Sequence, residues 1–571
     1  MGVCWRNSSN HRWRSNRQNH LFRDRALNYH SGPLLFNPLN DSNTKTLAGH
    51  FPTFRRLFGW LFSWRTIRRC LFALVCLFTL LALYYAEENW RGRRAWNKYR
   101  RELEARGGQL DYRVFIPKPV PDEQNFAATP LIKSWFLKEN LGSARFDTDY
   151  YGQVFRRVAD SNGRYWGRRQ FMDLVAWKAA FAAIEPGETN RHQMFFTTNK
   201  LDFDTRAKAA PAVLEGLKSS ETDLAELRAA SQRPYARYPV IYDLENPWGI
   251  LMPHIARVVG AIHRLQLRAC AELAAGLSDS ALEDVKLMLF MADSLKDEPF
   301  LVSYLERLNC LQTAIQPVWE GLAEHRWTDD QLKEIQTRLQ QLNLLVDMTQ
   351  PLNSERAAGI LTADLLARKK YRPSELFGPS DETGGDLTDL ISRIVPRGWY
   401  QLEKLRYGRL YENQLKGTFD AAGKRVFPDQ VAIRDRELER EIAGGRLGKT
   451  LNAVVHHQLL ASMLLPALGK VSLKTAIAQT NADQAALACA LERYRLASGQ
   501  FPETLEALAP RFLSPLPHDL LTGQPYRYRR AEDGQFVLYS VGWNEADDAG
   551  TPGKTLFDEK EGDWVWRYPA K

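Results

Sequence analysis

Cys70 to Ala86 (CLFALVCLFTLLALYYA) is a run of 17 residues without a charge. At about 1.5 Å rise per residue a helix of that length covers about 25 Å, the short end of what crosses the hydrocarbon core of a bilayer. Its apolar positions Cys70, Leu71, Phe72, Leu74, Val75, Leu77, Phe78, Leu80, Leu81 and Leu83, with Tyr84 and Tyr85 at the outgoing edge, predict a transmembrane helix that acts as a membrane anchor. Arg65, Arg68 and Arg69 can snorkel on one side, and Trp60, Trp64 and Trp90 suit the two interfaces. A cleaved signal peptide fits less well: its leader would be 69 residues long, and Tyr84 stands where cleavage needs a small side chain. Membrane lipid is therefore the first expected partner.

Charge divides the chain at the same place. The 571 residues carry a net charge of +10, and residues 1–69 hold all of it, with 12 Lys and Arg against two Asp. The remainder is neutral, which argues against a nucleic-acid-binding body. Residues 1–54, rich in Arg, Asn, Ser and His without apolar periodicity, read as a disordered basic arm, with an RNA- or lipid-binding arm as the sharper alternative. Residues 55–69 form a basic juxtamembrane segment before the 70–86 span. Local charge is balanced across the anchor, five Arg in 55–69 against six Lys and Arg in 87–101. Dragging the whole basic arm across an energised membrane is unfavourable, so the expected topology is a single-pass inner-membrane protein. Its N-terminus would be cytoplasmic and residues 87–571 periplasmic or extracytoplasmic. Six scattered cysteines make neither a disulfide framework nor a zinc site.

Beyond the anchor, residues 87–205 read as a charged helix stopped at Gly107, a Pro-rich spacer (FIPKPVPD, 115–122) and an irregular segment wrapped over a core. Residues 206–450 read as a helical body. A helix over Ile255–Gly276 is followed by one over Ala281–Leu295, capped by Ser278 or Ser280. The next starts near Pro299, and a fourth, capped by TDDQ at 328–331, runs to Leu345. Turns of three to five residues between them imply antiparallel helical hairpins, a helical-repeat-like array without a 34-residue consensus. Residues 374–392 and 419–431 read as loops, and 397–415 and 434–442 as helices. Residues 451–571 begin with a long helix to about 497, then show strands over 526–530 and 536–541 joined at Glu532–Gly534. The fold class is mainly α, with a small C-terminal α+β module.

Catalytic signatures are thin. AGGRLGKT (443–450) lacks the first glycine and the preceding strand of a phosphate loop. Asp243, Glu245 and His254, in YDLENPWGILMPH, form the most loop-like polar cluster and a possible carboxylate–histidine site. Glu306, Arg307, Glu355 and Arg356 read as buried ion pairs between helices.

The words LERYRLASGQFP, TLEALAP, LPHDLLTGQPYRY and FVLYSVGWNEADDAG occur in that order over about 110 residues. In that succession the C-terminal module resembles the C-terminal domain of the major pseudopilin of type II secretion and related prepilin-like proteins. The whole chain is similar to a group of uncharacterised bacterial single-pass membrane proteins that carry AEENWRGRRAW after the anchor and YSVGWNEADD near the end. The chain departs from a prepilin in lacking a peptidase site and an early Glu in its apolar helix. The resemblance implies calcium in the acidic loop after the last strand, with Asn544, Glu545, Asp547, Asp548 and Asp558 as ligands. The alternative there is a solvated acidic turn. Calcium is thus the one cofactor expected, and other envelope proteins the expected macromolecular partners. The expected function is binding or scaffolding in the cell envelope. A component of a secretion or pilus-like system is the first alternative, and an envelope hydrolase with an unrecognised site the second.

Overall fold

Nothing between Trp64 and Ala105 breaks a helix: the stretch has no proline and only Gly92 as a glycine. In the computed structural model, which describes residues 64–137, 169–182, 203–372, 392–443 and 456–568 together with Glu375 and Asp389, this stretch is a single 42-residue helix, α1 (Trp64–Ala105). The anchor and the charged helix after it are thus one element, and Gly107, at φ +81°, ends it as expected. Its apolar part lies bare, with Leu71 65% and Phe72 72% exposed. Its later part buries Glu88, Gly92, Trp96, Tyr99 and Leu103, spaced by three or four residues as one stripe of a helix. The chain divides into two compact units, Met1–Thr79 and Leu80–Lys571.

The second unit is mainly helical. After the spacer come α2 (Leu174–Ala182), α3 (Phe203–Gly216) and α4 (Glu221–Ala230). The segment expected to be irregular therefore contains α2 and the start of α3. The centre is α5 (Pro253–Ala274), α6 (Ser278–Asp293) and α7 (Leu301–Ala323), each packed on the other two. Helix α5 stops as expected, with Gly276 at φ +79° and the amide of Leu277 donating back to the Glu272 carbonyl. The serine cap expected for α6 is absent. Leu277 holds the cap position, and the Ser278 hydroxyl accepts a hydrogen bond from Gln331 Nε2 at 3.2 Å. A tertiary partner has taken the group that local capping would have used. Helix α8 (Asp329–Gln340) has the expected capping box, Thr328 with Gln331, but ends before Leu345 because Asn343 caps a separate turn over Leu344–Asp347.

Helices α9 (Thr349–Ala367) and α10 (Arg397–Leu415) pack together, the latter with the expected bounds. The excursion at 419–431 is a short hairpin, β1 (Phe419–Asp420) with β2 (Arg425–Val426), followed by α11 (Pro428–Ile442), which starts earlier than expected because proline suits the first helical position. The long C-terminal helix is broken. A short helix over Leu459–Leu464 and a turn at Leu465–Ala467, containing Pro466, precede α12 (Leu468–Ser498). Proline has no amide to continue the ladder. Both expected strands occur, as β3 (Arg527–Arg530) and β4 (Phe536–Ser540), with a third beyond the expected pair, β5 (Trp564–Trp566). The sheet is antiparallel in the order β3-β4-β5, with Tyr528 opposite Leu538 and Leu538 opposite Trp566. Residues 1–63, most of 374–392 and most of the AGGRLGKT stretch lie outside the described residues.

Among the described residues two helical stretches are long and apolar enough to cross a membrane: α1 and Leu459–Ser498. They differ in surroundings. The apolar window of α1 is 0% buried, whereas that of the second is 47% buried. Helix α12 packs on α7 and α8 and carries buried amides that bind protein: Gln479 Oε1 accepts from the Leu344 amide at 2.9 Å, and Gln484 Nε2 donates to the Trp564 carbonyl at 2.6 Å.

Candidate functional site

An open groove of about 590 Å3 runs along α4, α6 and α8. Val285, Leu289, Phe290 and Ile335 form its apolar floor, and Glu283, Lys286, Asp330, Lys333, Glu334 and Arg338 stand along its sides. The pattern follows from helical periodicity, which puts the apolar positions of α6 and α8 inward and their charges on the rim. Lys286 bridges the two walls, with its Nζ 2.9 Å from both Glu283 Oε1 and Glu334 Oε1, and these two hydrogen bonds raise its pKa. Asp330 and Lys333 form no ion pair among the described residues.

Beneath the groove a charge cluster fixes the helices that form it. The Asp284 carboxylate, fully buried, accepts from Arg268 Nε at 2.6 Å and Arg228 Nη2 at 2.7 Å, and Arg268 reaches Glu221 on α4 at 2.5 Å. Burial pushes the Asp284 carboxyl up while Arg268 and Arg228 pull it back, and burial holds neighbouring Glu272 at about 8. Removing Asp284 leaves the buried Arg268 guanidinium with only the more exposed Glu221, and Glu272 at 3.9 Å, and such a loss from a buried cluster is costly. No local sequence signal marks this groove; its walls lie about fifty residues apart in the chain and are joined only by the fold.

The polar cluster expected at Asp243, Glu245 and His254 is not assembled. Asp243 and Glu245 are exposed; the Asp243 carboxylate accepts the Glu245 amide at 2.8 Å and Glu245 pairs with Lys370. His254 is fully buried, its ring stacked between Tyr238 at 4.2 Å and Phe136 at 5.5 Å. A carboxylate does meet it, but it is Glu298, with Oε1 2.6 Å from Nε2 and off the hydrogen-bonding direction. Glu298 in turn accepts from the Ser303 hydroxyl. A serine that donates to the carboxylate is not activated by the imidazole, so the three groups do not form a nucleophile relay.

The acidic loop holds itself together. Asp547 accepts from the Tyr539 hydroxyl at 3.1 Å and the Ala549 amide at 3.0 Å, and lies 3.5 Å from Arg527. Asn544 Nδ2 donates to Asp548 at 3.4 Å, and Glu545 takes φ +56°. Asp558 accepts from the Lys560 amide at 2.9 Å, which lowers its pKa. Asp563, outside the expected set, accepts from the Asp548 and Gly550 amides at 3.2 and 2.6 Å. Among the described residues no group of three or more His, Cys, Asp and Glu is arranged to hold a metal ion.

Of the expected ion pairs, Arg307 is buried but bridges Asp293 at 2.7 Å and Asp347 at 2.9 Å, and Arg356 lies 3.8 Å from Glu412. Glu306 accepts from Asn309 Nδ2 at 3.4 Å, and burial pushes the Glu355 carboxyl up to about 7. Cys70, Leu74, Val75, Leu77, Phe78, Leu80, Leu81, Leu83 and Tyr84 of the anchor are exposed, and Tyr85 is half-buried. No protein-family model, no curated protein and no solved structure matches this chain.

Proposed function

We propose that the protein is a single-pass, membrane-anchored binding platform of the bacterial cell envelope. Its N-terminus lies in the cytoplasm and residues 87–571 on the other side, and its groove receives an amphipathic helix of a partner envelope protein. The observation that carries this reading is α1, a single helix that is bare and apolar over residues 70–84 and docked on the body from Glu88 onward. A bare apolar helix has no stable place in water, and hydrocarbon satisfies it. The groove supports the binding role, because an apolar floor with charges of both signs on its rim matches the face of an amphipathic helix.

Two finer features support the same reading. Consecutive packing of α5, α6 and α7 is the local pattern of a helical-hairpin array. Helix α12 with an antiparallel three-stranded sheet is the arrangement expected of a pseudopilin-like module, and it favours a secretion or pilus-like system as a second reading. That reading is the weaker, because α12 is enclosed by α7, α8 and β4 and has little free face for lateral assembly.

The test is a photo-crosslinking residue at position 333 or 341, placed in the full chain in intact cells. The expected result is one discrete adduct shared by both positions and lost in the Lys286→Glu/Glu334→Lys variant. Adducts indistinguishable from those at the exposed position Arg511 sink the reading.

A further inference from the structure

The end of the apolar run in α1 belongs to the same unit as the body, Leu80–Lys571. Two contacts bring the segment before α10 to its level: the Tyr85 hydroxyl donates to the Ile394 carbonyl, and Asn89 Oδ1 accepts from the Gly398 amide at 2.6 Å. From there α1 and α10 run side by side in the same direction. Gly92 lies against Gly398, Tyr99 against Gly408, and Arg106 is 3.3 Å from Glu412. At about 1.5 Å per residue, positions 90–94 stand roughly 6–12 Å beyond Ala86, at the headgroup layer of a bilayer whose hydrocarbon ends there.

At that level Arg93, Arg94, Arg393 and Arg397 are exposed and form no ion pair among the described residues. Arg94 lies over the Trp90 ring at 5.4 Å, and Lys369 adds a fifth cation by donating to the Arg393 carbonyl at 2.7 Å. Among the described residues the acids near this level are Glu87, the buried Glu88, which is engaged by Arg91 at 2.6 Å, and the half-buried Asp389, one turn before Arg393. Between the cations Trp90 and Ile394 expose apolar surface, at 61% and 60%. Exposed arginines around a tryptophan and an isoleucine, at the rim of an apolar span, are complementary to an interface of phosphates over acyl chains.

We propose that this collar, residues 90–94 of α1 with residues 393–397, docks on the anionic headgroups of the membrane that α1 crosses. The body then lies on the bilayer surface and does not stand off on a stalk. The inference rests on the membrane-anchored reading above.

The test uses the full chain in lipid nanodiscs, with Cys4, Cys70 and Cys76 changed to serine; Cys270, Cys310 and Cys489 are buried and shielded. A fluorophore is placed at Ile394→Cys, at Glu104→Cys, or at Leu77→Cys. The first two are read against a headgroup-labelled quencher and the third against an acyl-chain quencher. Position 104 stands about 27 Å along α1 from Ala86. With phosphatidylglycerol present, quenching at 394 is expected to exceed that at 104 by about threefold, and to fall by about half in neutral discs or in the Arg93→Gln/Arg94→Gln/Arg393→Gln/Arg397→Gln variant. Equal quenching at 394 and 104, or quenching at 394 indifferent to lipid charge and to the variant, overturns the collar. If the probe at 77 is quenched in either case, the anchor stands without the collar. An unquenched probe at 77 removes the anchor itself.

Discussion

Glu403 sits on α10 with 1% exposure, where its carboxylate accepts the Leu460 amide at 2.6 Å and caps the short Leu459–Leu464 helix. The second carboxylate oxygen has no hydrogen-bond partner among the described residues. Burial raises the pKa to about 8 from an ordinary 4.5, against the opposing pull of the amides of Leu460 and Leu459. Between those two values the folded chain holds a proton that the unfolded chain releases, so this group costs increasing stability as pH rises through that window. Glu403→Gln keeps an acceptor and cannot ionise. Its melting temperature is expected to match wild type near pH 4.5 and to exceed it by a few degrees at pH 8.5, as thermal unfolding at the two pH values would show; a gap equal at both rejects the assignment. The sequence around Glu403 (YQLEKLRYG) reads as an ordinary charged helix face, and nothing local says that this face is turned inward. His254 makes the same point from the other side. Its residue type marks it as a candidate, but the carboxylate that meets it, Glu298, comes from the connection between α6 and α7, which local spacing does not bring near.

Helix α1 was legible in two separate pieces, because apolar and charged stretches follow different composition rules. What joins them is the absence of any breaker, and what orients the second piece is close contact. A Cβ on Gly92 collides with the Gly398 carbonyl, and one on Gly398 collides with the Glu88 carbonyl, so both glycines are needed for the backbones to touch. Gly92→Val is expected to cost about 1–3 kcal/mol by overpacking. Trypsin should then cut faster between Arg93 and Arg106 than in wild type. Asn97→Val, on the exposed side of the same helix, is the control and should change neither stability nor cleavage beyond a few tenths of a kcal/mol. Unchanged cleavage in Gly92→Val would show that the glycine contact does not hold α1.

In the unit from Leu80 to Lys571, α12 is shared between the helical body and the C-terminal sheet. Its Thr475 meets Tyr304 of α7 at 2.9 Å, its Arg493 reaches Asp329 at the start of α8 at 2.9 Å, and its Gln484 binds β5 at 2.6 Å. Trp319, fully buried on α7, donates to the Arg567 carbonyl at 3.2 Å and lies 6.2 Å from the Tyr568 ring. The body expected over 206–450 and the module expected over 451–571 therefore share one core. Trp566→Ala is expected to cost about 3–5 kcal/mol. Calorimetry should show one transition that shifts as a whole; a split into two, with only one moved, would mean that the two parts fold independently.

The sequence by itself determined the apolar span, the helix-rich body, the Thr328–Gln331 cap, the Gly276 stop and the β3–β4 hairpin, because each depends on residues within one or two turns of one another. Tertiary structure decided the rest. It packed the Leu459–Ser498 stretch into the body although its composition passes for a membrane span, and it spent the Ser278 hydroxyl on Gln331 in place of a cap. It added β5, whose three residues WVW are too short to announce themselves and form a strand only beside β4. It also decided which charges are buried together and built the groove from three helices, since burial and pairing at long range depend on where the chain returns. Local composition does not encode that.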